Sequence, residues 1–174
     1  MIRSFGIITL AGTSADPLFS DKLTAAFSNI SSGGVYQATV ANSAIYQGGD
    51  RWIFGAGSGS PTNCMMVTKI VDSTHVQFMS EGNAAVSNWN SGTVLALDIA
   101  CAQILIQSQT GNSASGYLGS DSTVTNSGGG SAFAQIATGG AYTLGIAQWN
   151  CLRTTEAFLA GATSDKYGIA ALII

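Results

Sequence analysis

The chain is short of charge: six Lys plus Arg and nine Asp plus Glu make up 9% of its 174 residues, against roughly 25% in an average soluble domain. Such a deficit first raises a bilayer, but no apolar run approaches the roughly 18 residues that span one. The longest, GIAALII at the C-terminal end, is too short. A basic stripe is missing too. Arg3, Lys22, Arg51, Lys69, Arg153 and Lys166 are scattered and the formal net charge is -3, which disfavours nucleic acid as a partner. Histidine is limited to His75, with no Ser or Cys beside it in a recognised elbow, so neither a triad nor a multi-histidine metal site is expected. The carboxylates fit neither a glycosidase pair nor a calcium loop. Cys64, Cys101 and Cys151 lack any CxxC element, which argues against zinc. Buried free thiols are the expectation, with a Cys101 to Cys151 bridge as the alternative. Catalytic residues, cofactors and metals are all expected to be absent, and the chain reads as a non-enzyme. In MIRSFGIITLAG the apolar residues are broken by Ser4, Gly6 and Thr9, so no export signal is expected and assembly in a cytoplasm is.

What is abundant is Ser, Thr, Asn, Gln and 22 glycines, beside β-branched and aromatic residues spread along the whole chain. That mixture belongs to short strands joined by tight turns, and it argues against disorder. Neutral polar surface also desolvates more cheaply than charged surface, which suits subunit contacts. The central stretch is Cys101 to Ser120: Ala102, Ile104 and Ile106 alternate with Gln103, Leu105 and Gln107, and TGNSAS at Thr110 to Ser115 has turn chemistry. It predicts a β-hairpin at the centre of a sandwich. Met1 to Gly12 reads as an opening strand with two apolar faces, hence one lying inside a sheet or beneath a neighbour. Asp21 to Phe27 and Ile146 to Glu156 are the only helix candidates, and extended structure is an equal reading of the first.

From Val35 to Asp98 the texture changes. A Gly48, Gly49, Asp50 turn precedes one strand, and Met66 to Val71, Asp72, Ser73 and His75 to Met79 read as a hairpin. The fold expectation is all-β: a jelly-roll-like β-sandwich together with a small SH3-like β-barrel lobe at 34–98. GAGSGSP at Gly55 to Pro61 lacks the Gly-Lys-Ser/Thr ending of a phosphate loop and reads as a hairpin loop. The sequon Asn29, Ile30, Ser31 reads as chance without an export signal. Trp52, Trp89 and Trp149, with Tyr36, Tyr46, Tyr117, Tyr142 and Tyr167, read as core and interface aromatics, a sugar-binding surface being the alternative.

GIITLAG at the start, CAQILIQSQTGNSASGYLGS in the middle, then AFAQIATGGAYTL and a closing DKYGIAALII together resemble structural proteins of tailed bacteriophage virions. In those proteins an I-x-I-Q-x-x-x-G-N strand and turn is followed by a Y-L/V-G strand, a G-x-x-x-x-L strand and a closing strand after a G-D-K turn. Here that last turn is Ser164, Asp165, Lys166, without the glycine. The resemblance covers roughly Ile2 to Phe27 and Cys101 to Ile174, which implies one sandwich of residues 1–33 and 99–174 with the barrel lobe, 34–98, inserted into it. It implies a capsid decoration or cement protein on the virion surface, binding the major capsid protein outside an icosahedral head as a homotrimer. The ends Met1, Ile2, Arg3, Ser4, Phe5, Ile173 and Ile174 are then the contact candidates, because an unpaired edge strand can be completed by a neighbour. The alternatives are a receptor- or glycan-binding module of a fibre or spike, centred on Trp52 and Trp89, and a head–tail structural protein.

Overall fold

The computed structural model describes residues 1–10, 12–31, 34–55, 63–81, 89–145 and 152–174. They form sixteen strands. The first nine are β1 (Ile2–Thr9), β2 (Asp16–Pro17), β3 (Ser20–Lys22), β4 (Ser28–Ser31), β5 (Val35–Thr39), β6 (Arg51–Phe54), β7 (Asn63–Ile70), β8 (His75–Ser80) and β9 (Val94–Leu97). The other seven are β10 (Ala100–Ser108), β11 (Gly116–Gly119), β12 (Ala132–Ile136), β13 (Ala141–Gly145), β14 (Leu152–Arg153), β15 (Phe158–Ala160) and β16 (Lys166–Ile173). Among the described residues the only helical pieces are 3-10 turns at Ser43–Ile45 and Thr154–Glu156. The helix reading of Asp21 to Phe27 gives way to extended chain, because Asp21 and Lys22 pair with β9 and Leu23 pairs with Val40. Of the second helix candidate, 146–151 lie outside the described residues and Leu152–Arg153 is a strand.

The fold is all-β and the chain divides into two compact units, Met1–Leu18 with Ile99–Ile174, and Phe19–Asp98. The sequence reading drew the first boundary between 33 and 34. Strand pairing draws it earlier, since β3 is laddered to β9 and β4 to β5.

The first unit is a sandwich. One sheet has the order β1-β16-β10-β13, with β14 also on β10, and the other runs β12-β11-β15-β2. The period-two pattern of β10 behaves as the sequence predicts: Ile104 and Ile106 are fully buried while Gln103, Leu105 and Gln107 face out. Tyr167, Ile169 and Ala171 of β16 lie beside them on the inner face, and Leu118, Ile136 and Leu159 come from the opposite sheet. Two glycines make room for the largest of these side chains. A Cβ on Gly116 would lie 2.6 Å from the Tyr167 hydroxyl, and one on Gly161 would lie 2.9 Å from it.

The stretch Cys101 to Ser120 is not a hairpin. β10 and β11 lie in different sheets, because both edges of β10 are already occupied, by β16 and by β13. The polar turn is therefore an arch that carries the chain between layers. Side chains hold it in place of a ladder. The Asn112 amide donates to the Lys166 carbonyl at 2.8 Å and accepts from the Lys166 amide at 2.7 Å, so it serves as a short extra strand partner. The buried Asp165 carboxylate accepts from the Ser113 amide (2.7 Å), the Ser113 hydroxyl (3.0 Å) and the Ala114 amide (3.3 Å). The G-N and D-K pairs, 53 positions apart if counted from Asn112 to Asp165, thus meet in one polar cluster.

The residue before that aspartate has a backbone cost. Ser164 is the only non-glycine residue with positive φ, at 73°, among the described residues, and the left-handed region is disfavoured for side chains with a Cβ. Ser164→Gly is expected to raise unfolding free energy by about 0.5–1 kcal/mol, the relief of Cβ strain exceeding the added freedom of the unfolded chain. Urea denaturation checks this, and a loss of stability would show that the Ser164 side chain makes a compensating contact.

β1 departs from expectation as well. Among the described residues it lies at a sheet edge, paired with β16 alone, and its ladder is interrupted by a bulge between Ser4 and Gly6, with Gly6 at φ 74°. The closing strand β16 is the interior one, flanked by β1 and β10.

The second unit is one seven-stranded sheet, β3-β9-β6-β7-β8-β5-β4. It curls into a half-barrel whose ends approach where Leu23, just after β3, pairs with Val40, just after β5. The predicted β7–β8 hairpin and the Gly48–Gly49–Asp50 turn are both present, the turn closed by the Asp50 amide on the Gln47 carbonyl at 3.0 Å. Inside the curl the aromatics touch in file. Tyr36 stacks on Phe27 at 4.9 Å, Phe27 meets Phe54 at 5.1 Å, Phe54 meets Phe78 at 5.1 Å, Phe78 meets Tyr46 at 5.8 Å, and Tyr46 stacks on Trp52 at 4.3 Å.

Candidate functional site

The register of the first sheet assembles its outward face row by row. Ile2, Leu172, Gln103 and Gly145 form one row, Ser4, Ala170, Leu105 and Thr143 the next, and Ile7, Gly168, Gln107 and Ala141 the third. None of these twelve positions carries a charge. Four large apolar side chains stand open on it: Ile2 is 77% exposed, Ile7 61%, Leu105 45% and Leu172 38%. Charge returns at the ends of the sheet, at Lys166, paired with Thr9, and at Arg153 of β14, paired with Ala100. A sheet facing water on one side normally presents polar and charged residues there. This face offers apolar groups separated by amides, hydroxyls and glycine, a surface that can be desolvated at low cost.

The structure brings the two ends of the chain together at the margin of this face. The Met1 ammonium donates to the Ile173 carbonyl at 2.8 Å, and the Ile173 amide returns a bond to the Met1 carbonyl at 2.7 Å. Met1, Ile2, Ser4 and Ile174 are exposed and Ile173 is half-buried. Arg3 and Phe5 are not part of this surface. Both point inward, buried, with the guanidinium 4.8 Å above the Phe5 ring, because a strand alternates and Ile2 and Ser4 already take the outer side. The sequence reading did not single out Ile7, Leu105 or Leu172. Leu105 carried a signal, since it is the lone apolar residue on the glutamine side of an otherwise regular alternation; Ile7 and Leu172 carried none, because their facing depends on the bulge and on register.

Other candidates resolve into structure. His75 opens β8, and its Nδ1 lies 2.9 Å from Asp72 Oδ2 across the hairpin turn. The amide of Thr74 and then the His75 ring hold the Asp72 carboxyl down at about 2, so the pair acts as a turn clamp. Arg51 ties Glu81 (2.7 Å), Asp98 (3.2 Å) and the Cys64 sulfur (3.2 Å). Asp21 accepts from the Tyr46 hydroxyl at 3.0 Å; burial pushes the Asp21 carboxyl up, and burial together with that carboxylate pushes the Tyr46 hydroxyl well up. Trp52, a proposed centre of glycan binding, is buried against Tyr46 and cannot stack on a sugar, while Trp89 is half-buried. Cys101 is buried and its sulfur lies 3.3 Å from the Leu152 carbonyl, and Cys64 is free and half-buried. Cys151, Trp149 and most of the 55–61 glycine loop lie outside the described residues.

Among the described residues no group of three or more His, Cys, Asp or Glu could hold a metal ion, and no helix is long and apolar enough to cross a membrane. No protein-family model, no curated protein and no solved structure matches the chain.

Proposed function

We propose that the chain is a non-catalytic binding protein whose sandwich docks on another protein through the neutral outer face of the β1-β16-β10-β13 sheet. The observation that carries this reading is three consecutive cross-strand rows without a charge, four of whose side chains are large, apolar and open to solvent. A protein that must be soluble alone yet adhere to a preformed surface needs such a face and no active site. Together with the resemblance of the strands that build it to tailed-phage virion proteins, this supports a reading in which the partner is the major capsid protein on the outside of an assembled head. The chain would then be a decoration protein, and binding only the assembled shell would stabilise that shell by mass action.

The test is cosedimentation of the full chain with bare phage heads. The unaltered protein should pellet with heads, and Leu105→Lys, at the centre of the face, should weaken retention about tenfold to a hundredfold by placing an unpaired ammonium in a desolvated contact. Lys69→Ser, in the other unit, should pellet like wild type. Unaltered pelleting by Leu105→Lys would remove this face from the reading, and no pelleting of the wild type would remove the capsid.

A further inference from the structure

Among the described residues the sandwich has four sheet edges, β13 sharing its edge with the two-residue β14, and the other three carry a device that blocks strand addition. β1 has the bulge at Ser4–Gly6 and turns the charged side chain of Arg3 inward. β2 is two residues long and ends in Pro17. β12 is bulged, its ladder to β11 stepping from Ala134 to Ala132 where β11 advances by a single residue. Short strands, proline, inward charge and bulges are the means by which proteins keep sheet edges from pairing with other chains.

β13 has none of them. It is five residues, AYTLG, with an uninterrupted register from Gln103↔Gly145 to Gln107↔Ala141. Among the described residues no strand pairs with its other side. Gly140 turns its carbonyl toward β10, accepting from the Ser108 amide at 2.9 Å. By the alternation of an antiparallel ladder, Tyr142 and Leu144 do the same and Ala141, Thr143 and Gly145 turn their amides and carbonyls outward. The surrounding chain is also without charge: no Asp, Glu, Lys, Arg or His occurs between Asp121 and Arg153.

We infer that β13 is the edge along which a second copy of this chain adds, strand antiparallel to strand, about a twofold axis. A neutral edge meets its own copy without like-charge repulsion, and an antiparallel pair of identical strands is self-complementary under twofold symmetry. The pairing continues the sheet from one copy into the next, so two neutral outer faces come to lie side by side. This inference does not rest on the capsid reading, since self-association precedes whatever the outer face binds. It replaces the threefold expectation with a twofold one.

Light scattering of the full chain over a concentration series tests it. The wild type should approach twice the mass of one chain. Thr143→Pro removes an outward amide and no bond of the β10 ladder, and should weaken association at least tenfold while far-UV circular dichroism stays unchanged. Should the proline variant fail to fold, Thr143→Lys, an exposed substitution on the same strand, gives the same reading through an edge charge. Leu105→Lys, which tests the outer face, should leave the twofold mass intact. A single-chain or threefold mass for the wild type, or wild-type association by the folded Thr143 variants, overturns the inference.

Discussion

Replacing Asp165 by alanine should lower the unfolding free energy by about 3–5 kcal/mol, the sum expected for three bonds to a buried charged acceptor when their donors lose it. Asp165 is 3% exposed, and its carboxylate accepts from the Ser113 amide and hydroxyl and from the Ala114 amide. Those donors cannot turn to a strand ladder, because the arch between β10 and β11 has none. Asp165→Asn should cost less, since one oxygen remains an acceptor. Hydrogen exchange at the Ser113 and Ala114 amides separates this cause from general loosening: both should exchange faster in Asp165→Ala, ahead of the β10 amides. A denaturation midpoint within error of the wild type, with those amides still protected, would mean that another group holds the arch.

The second large effect belongs to the curled sheet. Phe78 is fully buried and lies midway in the aromatic file, between Phe54 at 5.1 Å and Tyr46 at 5.8 Å. Phe78→Ala should destabilise this unit by about 3–5 kcal/mol, combining lost transfer energy with a cavity that the rigid neighbouring rings cannot close. Near-UV circular dichroism should weaken, since Tyr46 and Trp52 lose the packing that orients them. Phe78→Leu keeps most of the volume and should cost clearly less. Equal costs for the two variants would contradict the cavity argument and point to the ring–ring contacts as the source.

Some of this was legible in residue order. Alternation in β10 identified its inner and outer faces, and the Asp72–Ser73 turn identified the β7–β8 hairpin, because side-chain period and turn chemistry are local properties. Glycine with β-branched residues pointed to strands, which the fold bears out. Trp52 was read as core before glycan surface, and its burial follows from alternation within β6.

Pairing was not legible. Cys101 to Ser120 holds two strands and a turn, yet whether they ladder to each other depends on what else claims the edges of β10, and those claims come from residues 141–145 and 166–173. The same holds for β1, whose two apolar faces suggested an interior strand. It is an edge because only β16 pairs with it among the described residues; alternation turns Arg3 and Phe5 inward, and the bulge at Gly6 shifts the phase so that Ile7 stands outside with Ile2. The neutral face is a product of register across four strands. Composition determined that the protein would be built of strands with little charge; only the tertiary structure decided which strands share a sheet and which uncharged residues stand together, because ladder partners are chosen by long-range competition for edges that no local pattern records.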